Sequence, residues 1–374
     1  METKIVLGSL FGDEGKGVSV QWLCKNAVAE GKRPLVIRYT GGSQAGHTVE
    51  NIVDNKNVRH VFSSFGSASL MNIPTLYKNT ALIDPICIVN EWNVLKAKGI
   101  VQPLYNIENA MIITPYDVEA NRNSAKNLSD GTCGKGVYMA WKRSNSGAKF
   151  TINDNPEIIL AKSAEYYNVE RYKPYDEMFL SAFNNVKKNQ IDIDINDYDT
   201  LVYESTQGLL LDAKLGFLPH VTATLTGLQY LTKEELKNAD VYLAMRTYLT
   251  RHGNGYIPQM IDNYNLNDKS ETNVLNQYQG NFKTGIFDFD LLNEAIKRHN
   301  FNDYPETNFN LTITHLDTCL NNQKFIYKYN NDILSEIINT KQEYNKILEI
   351  YKNKISLKIR NTYYCDSSVG EFEK

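Results

Sequence analysis

The stretch from Lys4 to Gly42 reads as strand, glycine-rich turn, helix, strand, and nothing else in the chain restricts the fold as tightly. "KIVLGSL" is a short apolar run that closes on a glycine, the mark of a buried strand. Between Gly15 and Ala29, Val18, Trp22, Cys24 and Val28 recur among polar residues at roughly helical spacing. "RPLVIRYTGG" is a second buried strand ending in glycines. Two strands joined by a helix within about 35 residues form a βαβ unit and imply a parallel sheet. Similar apolar runs recur at "ALIDPICIV", "AMIITPYDV", "TLVYESTQG", "VYLAMRTYLTRHG" and "LTITHLDTC". The pattern predicts an α/β fold on a large, mostly parallel twisted sheet with flanking helices. Ligands of such sheets bind beyond the carboxyl ends of the strands, so the chemistry is expected in the turns that follow these runs.

The 374 residues suffice for one elaborate domain, and no linker divides them, so residues 1–374 are expected to fold together. Asn153 to Asp199 is polar, rich in Tyr and Asn and helical in pattern, as in "DEMFLSAFNNVKK", which predicts a helical insertion. Asp262 to Asn281 has almost no aliphatic periodicity, and a long loop of that kind is usually functional or disordered; a mobile substrate loop is expected over about 262–283. "NDILSEIINTKQEYNKILEIYKNKIS" reads as one or two amphipathic surface helices. The net charge of −3, with dispersed basic residues, argues against a nucleic-acid partner. No apolar run approaches the ~20 residues of a membrane span. Five scattered cysteines with no CxxC fit a reducing, cytoplasmic compartment.

The turn after the first strand, "FGDEGKG", looks like a phosphate loop but departs from the standard one. Leu10 stands where that motif has a Gly, and Gly17 follows Lys16 where it has Ser or Thr. Backbone N–H groups at a helix start, with Gly12, Gly15 and Gly17 allowing close approach and Lys16 adding charge, suit a phosphate. The carboxylate of Asp13 makes sense there as a Mg²⁺ ligand or as a base on a group about to be phosphorylated. The plainer alternative is a tight turn with Asp13 as a helix cap. The second loop, "TGGSQAGHT", carries His47 among small polar neighbours. A histidine at the mouth of a sheet can donate to a phosphate or a developing anion.

Together the two loops resemble the adenylosuccinate synthetase family, whose hallmark is "WGDEGKG" followed by "GGxNAGHT". "DGTCGKG" (Asp130–Gly136) is similar to the family's second phosphate loop. "ESTQGLLLDAKLGFLPHVTAT" resembles its "EGAQG…LLD" segment, "TRHGNG" its "TRVGxG", "KTGIFD" its "RTGWLD", and "THLD" its guanine-reading "TKLD". The resemblance implies a P-loop-like, GTPase-related core with helical and loop insertions, and a Mg²⁺-dependent ligase. In that family GTP phosphorylates the 6-oxo group of IMP, and the amine of L-aspartate displaces the phosphate. Carried over, Asp13 is the base and a Mg²⁺ ligand beside the carbonyl of Gly46. Lys16 holds the donor phosphates, and His47 is the acid, followed by Thr48. Thr132, Gln207, Leu211, Thr222 and Gly253 hold the nucleotide. Asp317 accepts from guanine, with Ser368 and Gly370 closing that pocket. A homodimer is implied, with Arg143 a loose match for an arginine that reaches the neighbouring subunit's nucleotide.

Several positions depart from the family pattern. Its arginine cluster ahead of "TGWLD" is replaced by "QYQGNFKTG", in which only Lys283 is basic. Arg251, Lys269 or Lys283 then has to meet the aspartate carboxylates, or the amino donor differs, since guanidinium and ammonium groups are not interchangeable there. Gln44 replaces an Asn, Cys133 a Thr, and His315 the Lys of "TKLD", which opens ATP as an alternative to GTP. A phage branch of the family condenses aspartate with dGMP. The retained Asp13 favours IMP, and the missing arginines favour a deoxynucleotide; IMP ranks first. A degenerate nucleotide-binding protein and a GTPase-type switch are the competing readings.

Overall fold

The computed structural model describes residues 1–258, 278, 280, 282–366 and 371–374, with backbone alone for 126–128. Eight strands form the main sheet in the order Ile359–Tyr364, Asn308–Thr314, Asp240–Arg246, Glu2–Gly8, Thr200–Gly208, Pro34–Arg38, Thr75–Tyr77, Tyr105–Ile107. Every neighbouring pair is parallel. Parallel sheets are covered on both faces, which is why these strands read as unbroken apolar runs. Ile5, Leu7, Ile37 and Leu243 face the largest core cluster, while Val6, Val36, Val202 and Ala244 face the layer where Val20 and Leu23 of the helix Lys16–Ala29 pack. The sheet and its flanking helices are those the runs predict.

Three of the apolar runs are strands for only part of their length. In "ALIDPICIV" only Leu82–Ile83 pairs, and Pro85–Ala97 is a helix. Asp84 accepts from the N–H groups of Ile86 and Cys87, and Pro85 occupies the first helical position, where its missing N–H costs nothing. "AMIITPYDV" divides likewise, Met111–Ile112 pairing and Thr114 capping the helix Pro115–Asn123 in a reciprocal box with Asp117. "LTITHLDTC" passes from strand to the helix Leu316–Asn321 at His315, whose φ is 64°.

A second sheet, Tyr248–His252, Phe282–Asp288, Lys324–Tyr329, Asp332–Ile337, stands beside the first. "VYLAMRTYLTRHG" therefore holds two strands in different sheets, with Thr247 between them. The expected helical reading of "NDILSEII" is wrong. Asp332–Ile337 pairs antiparallel with Lys324–Tyr329 through Asn330 and Asn331, at φ 53° and 65°. Two consecutive residues at positive φ make the tight turn that matches strand twist, and Asn tolerates it best after Gly. The helix begins only at Tyr344 and runs to Lys354. In the region 153–199 the helices Pro156–Tyr167 and Lys173–Lys188 pack with Pro85–Ala97 around Phe179 and Phe183. Among the described residues no helix is long and apolar enough to cross a membrane.

Candidate active site

The strand Glu2–Gly8 ends under the first glycine loop, where Gly8 lies opposite Gly208 on one neighbour and Ala244 on the other. This row of small residues lets the loop lie on the sheet. A Cβ on Gly208 would come within 2.3 Å of the Leu10 carbonyl oxygen and 2.6 Å of the Gly12 nitrogen, both backbone atoms. Gly12, Asp13 and Gly15 have φ of 98°, 56° and 87°. Gly15, not Asp13, is the helix cap, so the plain capping role for Asp13 does not hold. The turn instead leaves the Asp13 side chain at the mouth of a cleft of about 800 Å³.

His252 Nε2 lies 3.1 Å from Asp13 Oδ2, and Arg246 Nε donates to the Asp13 carbonyl. Burial pushes the Asp13 carboxyl up, but the His252 contact and the charges of His252, Arg246 and Lys16 outweigh it and hold the pKa below its ordinary value. Asp13 is therefore an anion. Its neighbour Glu14 is different. It turns inward, accepts from the Leu10 N–H and lies 4.0 Å from Lys16 Nζ, and burial pushes its pKa up to about 7.

His47 begins the hairpin His47–Phe62 and lines the same cleft as Asp13. Its Nδ1 lies 2.5 Å from Glu204 Oε1, and Glu204 also accepts from the Ser67 hydroxyl and from the Ser67 N–H at 3.1 Å. Although burial opposes ionisation, these bonds and the Arg38 charge hold Glu204 down to about 2. A fixed carboxylate on Nδ1 sets the ring's tautomer and orientation. The other nitrogen, Nε2, is buried and has no hydrogen-bond partner among the described residues. Burial draws the imidazole's pKa down while Glu204 draws it up, with the net shift downward.

The cleft gathers Gly12, Asp13, Lys16, Gly46, His47, Thr132, Gln207, Leu211, Thr222 and Arg251 of the sequence-derived set. Gly15, Gly17, Thr48 and Gly253 adjoin it in the chain without lining it, and Asp317 and Lys283 lie away from its lining. Asp317 opens the helix Leu316–Asn321, and its Oδ1 accepts from the Thr318 N–H at 2.9 Å. Ser368, Gly370 and Lys269, with most of the 262–283 loop, lie outside the described residues. Sequence reasoning missed His252 and Glu204, the partners of the two chemical groups, and Lys135, an exposed cation on the cleft wall. Lys135 stands in the quoted "DGTCGKG", so a signal for it was present.

Mg²⁺ is the metal the family resemblance implies. Asp13 Oδ1 has no hydrogen bond among the described residues, and Gly46 lines the same cleft. No described cluster of three or more His, Cys, Asp or Glu side chains could hold a metal unaided. One carboxylate and one carbonyl fit Mg²⁺, which fills its shell with substrate phosphates and water.

The departures have structural answers. Arg251 is 2% exposed, stacks 4.3 Å from the Phe11 ring, and donates to the carbonyls of Tyr256 and His220. Burial brings its pKa down to about 10, and Nε has no hydrogen-bond partner among the described residues. Lys283, directly across the strand pair from Arg251, donates to the Gly255 carbonyl at 3.0 Å. Gln44 folds back to accept from the Gly42 N–H at 2.7 Å. His315 is buried, its ring edge-on to Tyr248 and its Nδ1 2.8 Å from the Thr314 hydroxyl. Arg143 does not reach outward. It is wholly buried, paired through Nε and a terminal nitrogen with both oxygens of Asp117 at 2.9 Å, and bonded to the Ile112 carbonyl. The match to a subunit-crossing arginine fails because this side chain closes its own core.

A parallel sheet whose first strand turns through a glycine-rich, lysine-bearing loop into its first helix defines an α/β nucleotide-binding protein of phosphate-loop-like build. The adenylosuccinate synthetase family profile matches residues 5–154 and 154–360, and the chain belongs to that family, whose enzymes are C–N bond-forming ligases. It is 30% identical over 307 residues to adenylosuccinate synthetase of Halothermothrix orenii, covering 72% of this chain and 67% of that one. To the protein of Buchnera aphidicola it is 28% identical over 286 residues, a match that spans only 64% of that relative's length. To that of Thermodesulfovibrio yellowstonii it is 26% identical over 383 residues, covering 94% and 87%. The fold is similar to that of fully ligated adenylosuccinate synthetase from Plasmodium falciparum, with a TM-score of 0.77, 16% identity and complete coverage of both chains. It also resembles the cyanophage S-2L succinoaminodeoxyadenylate synthetase bound to dGMP and dATP, with a TM-score of 0.62, 14% identity and coverage of 98% and 93%.

Proposed function

We propose that this chain activates the 6-oxo group of a purine nucleotide by phosphorylation from a nucleoside triphosphate and then exchanges it for an amine. IMP is the first-ranked acceptor, GTP the donor and L-aspartate the amine, which gives adenylosuccinate. The observation that carries this reading is that one cleft is lined by an ionised carboxylate, Asp13, an oriented imidazole, His47, and Lys16 at the helix start. Pure nucleotide binding needs neither a base nor an acid.

In this scheme Asp13 accepts the N1 proton of the purine, which turns a weakly nucleophilic amide oxygen into an enolate-like one. O6 then attacks the terminal phosphorus, the O6–P bond forms, and the nucleoside diphosphate leaves. The amine adds at C6, and phosphate departs with the former O6. Lys16 and the loop N–H groups hold the donor phosphates. Mg²⁺ held by Asp13 and Gly46 supplies charge neutralisation when bound. Glu204 keeps the His47 Nδ1–H directed inward, so Nε2 is the atom that faces the transferred phosphoryl group. The approaching anion adds to the upward pull of Glu204, so substrate binding favours the protonated Nε2 that a donor role requires. One such donor contributes roughly 10²–10³ in rate.

The amine's carboxylates are assigned to Arg251 and Lys135, with Lys283 behind them at the Gly255 carbonyl. ATP as donor is a second reading. Asp317 Oδ1 is already bonded to its own helix, and His315 is buried instead of covering a base. A homodimer in a cytoplasmic compartment is part of the proposal, and five free cysteines, three of them buried, fit a reducing setting.

The test is a phosphate-release grid. IMP, dIMP, GMP and dGMP are crossed with GTP and ATP in the presence of Mg²⁺ and L-aspartate, and the products are weighed by mass spectrometry. Release with IMP, and a product heavier by one condensed aspartate, is the expected result. Release only with dGMP moves the chain to 2-amino-6-oxopurine substrates. Silence over the whole grid, with other amino acids also tried, overturns the ligase reading.

A further inference from the structure

Two consecutive carbonyls of the first glycine loop, those of Gly12 and Asp13, meet side chains that do not line the cleft. Thr250, in the middle of the strand Tyr248–His252, donates its hydroxyl to the Gly12 carbonyl at 2.8 Å. Arg246, at the end of Asp240–Arg246, donates through Nε to the Asp13 carbonyl, and one of its terminal nitrogens donates to the Tyr248 hydroxyl at 2.8 Å. The Arg246 main chain is fixed in turn by the Tyr351 hydroxyl, which donates to its carbonyl at 3.0 Å. Both side chains are buried, so water competes little for these bonds. The loop peptides are trans, the one cis bond among the described residues being Leu218–Pro219. In a trans peptide the C=O and the N–H point in opposite directions. Holding the Gly12 and Asp13 carbonyls toward Thr250 and Arg246 therefore turns the N–H groups of Asp13 and Glu14 the other way. Among the described residues neither N–H meets an acceptor, nor does that of Gly15. Successive N–H groups turned to one side make an anion-binding concavity. The φ of 98° at Gly12 and 56° at Asp13 builds it, and Asp13, which carries a Cβ, needs outside support to stay there.

We propose that Thr250 and Arg246 are positioning residues for phosphoryl transfer: they lock the Gly12–Asp13 and Asp13–Glu14 peptides with their N–H groups presented to the phosphates of the donor. A flip of either peptide exchanges an N–H for a carbonyl oxygen, and an oxygen turned to a phosphate repels it. Both locks sit on residues 246–250, the short segment that joins the main sheet to the second one, so the phosphate loop is fastened where the two sheets meet. The inference rests on the donor-phosphate role given to this loop above and not on the choice of acceptor or amine. Neither side chain needs to touch a substrate for this; each acts through the backbone of the loop.

The test uses the whole chain and the variants Thr250→Val, Thr250→Ser and Arg246→Met. Val keeps the branched shape that suits a strand and loses only the hydroxyl; Ser keeps the hydroxyl. Affinities for GTP and ATP with Mg²⁺, and separately for IMP, are measured by calorimetry, kcat by phosphate release, and stability by thermal melting. Thr250→Val and Arg246→Met should each weaken binding of the triphosphate and lower kcat by about tenfold or more, while IMP affinity stays within about threefold. Thr250→Ser should hold triphosphate affinity within about threefold of the wild type. Unchanged triphosphate affinity in Thr250→Val overturns the inference, and so does a loss that Ser fails to restore. Equal losses for the triphosphate and IMP, accompanied by a lower melting temperature, assign the two bonds to stability alone and overturn it as well. If Arg246→Met does not fold, the Thr250 pair decides. A wild type that binds a triphosphate but converts no purine monophosphate removes the ligase reading, and the Thr250 pair still decides this inference on triphosphate affinity. A wild type that binds no triphosphate overturns both.

Discussion

Asp13 and His47 are adjacent in function yet their environments are built separately, and each can be tested alone. Because the proposed work of Asp13 is proton removal, Asp13→Asn should reduce turnover at least about 10³-fold while leaving nucleotide affinity within about tenfold, measured by phosphate release and calorimetry. Glu204 acts through His47. Glu204→Gln keeps the shape of a side chain that is 0% exposed but removes the anion, and turnover should drop roughly 10²-fold. The same variant has a pH signature. The folded-state pKa of Glu204, about 2, lies below the ordinary 4.5, so its ionisation adds stability above pH 4.5, and that contribution is lost as pH falls toward 2. Glu204→Gln should therefore melt lower than the wild type at pH 7, and the gap should narrow as pH falls through that window. The loop residues were legible because glycine, carboxylate and lysine in that order have few other uses. Glu204 and His252 were not, because each finds its partner 157 and 239 positions away, a distance no local pattern encodes.

Among the elements, the unbroken apolar strands could be read directly, since burial on both faces leaves only one solution. Two of the boundaries that failed share a cause: Asp84–Pro85 and Thr114–Pro115 convert an apolar run into a helix within one residue, and the capping side chain carries more information than the hydrophobicity around it; the third, at His315, has no side-chain cap. The hairpin missed after Tyr329 had its signal in Asn330–Asn331, a weaker form of the Asn-Gly turn. At the seam between loop and sheet, Gly208→Ala should be severe for its size. The added carbon meets backbone atoms at 2.3 and 2.6 Å, which cannot swing away. A loss of about 1–3 kcal/mol is expected from chemical denaturation, with a larger fractional loss of activity, because the displaced atoms belong to the phosphate loop itself.

For the whole molecule, the resemblance to a dimeric family gave the right fold but the wrong use of Arg143. Both partners of the Arg143–Asp117 pair are 0% exposed, and removing one leaves a buried charge uncompensated. Arg143→Ala should cost about 3–5 kcal/mol of stability in denaturant unfolding. Mixing it with Asp13→Asn should give no recovery of activity, whereas an arginine completing a neighbour's site would give partial complementation. The order of strands in the main sheet has a consequence in time as well as in space. Glu2–Gly8 is synthesised well before its two neighbours, Thr200–Gly208 and Asp240–Arg246. At about 5–20 residues per second, an apolar segment that will become the centre of the sheet waits tens of seconds for either partner. A growing chain of this sequence thus carries this apolar strand without its sheet neighbours until they are made, and a binder that shields Ile5–Leu7 during that interval should govern how much folded protein a cell obtains.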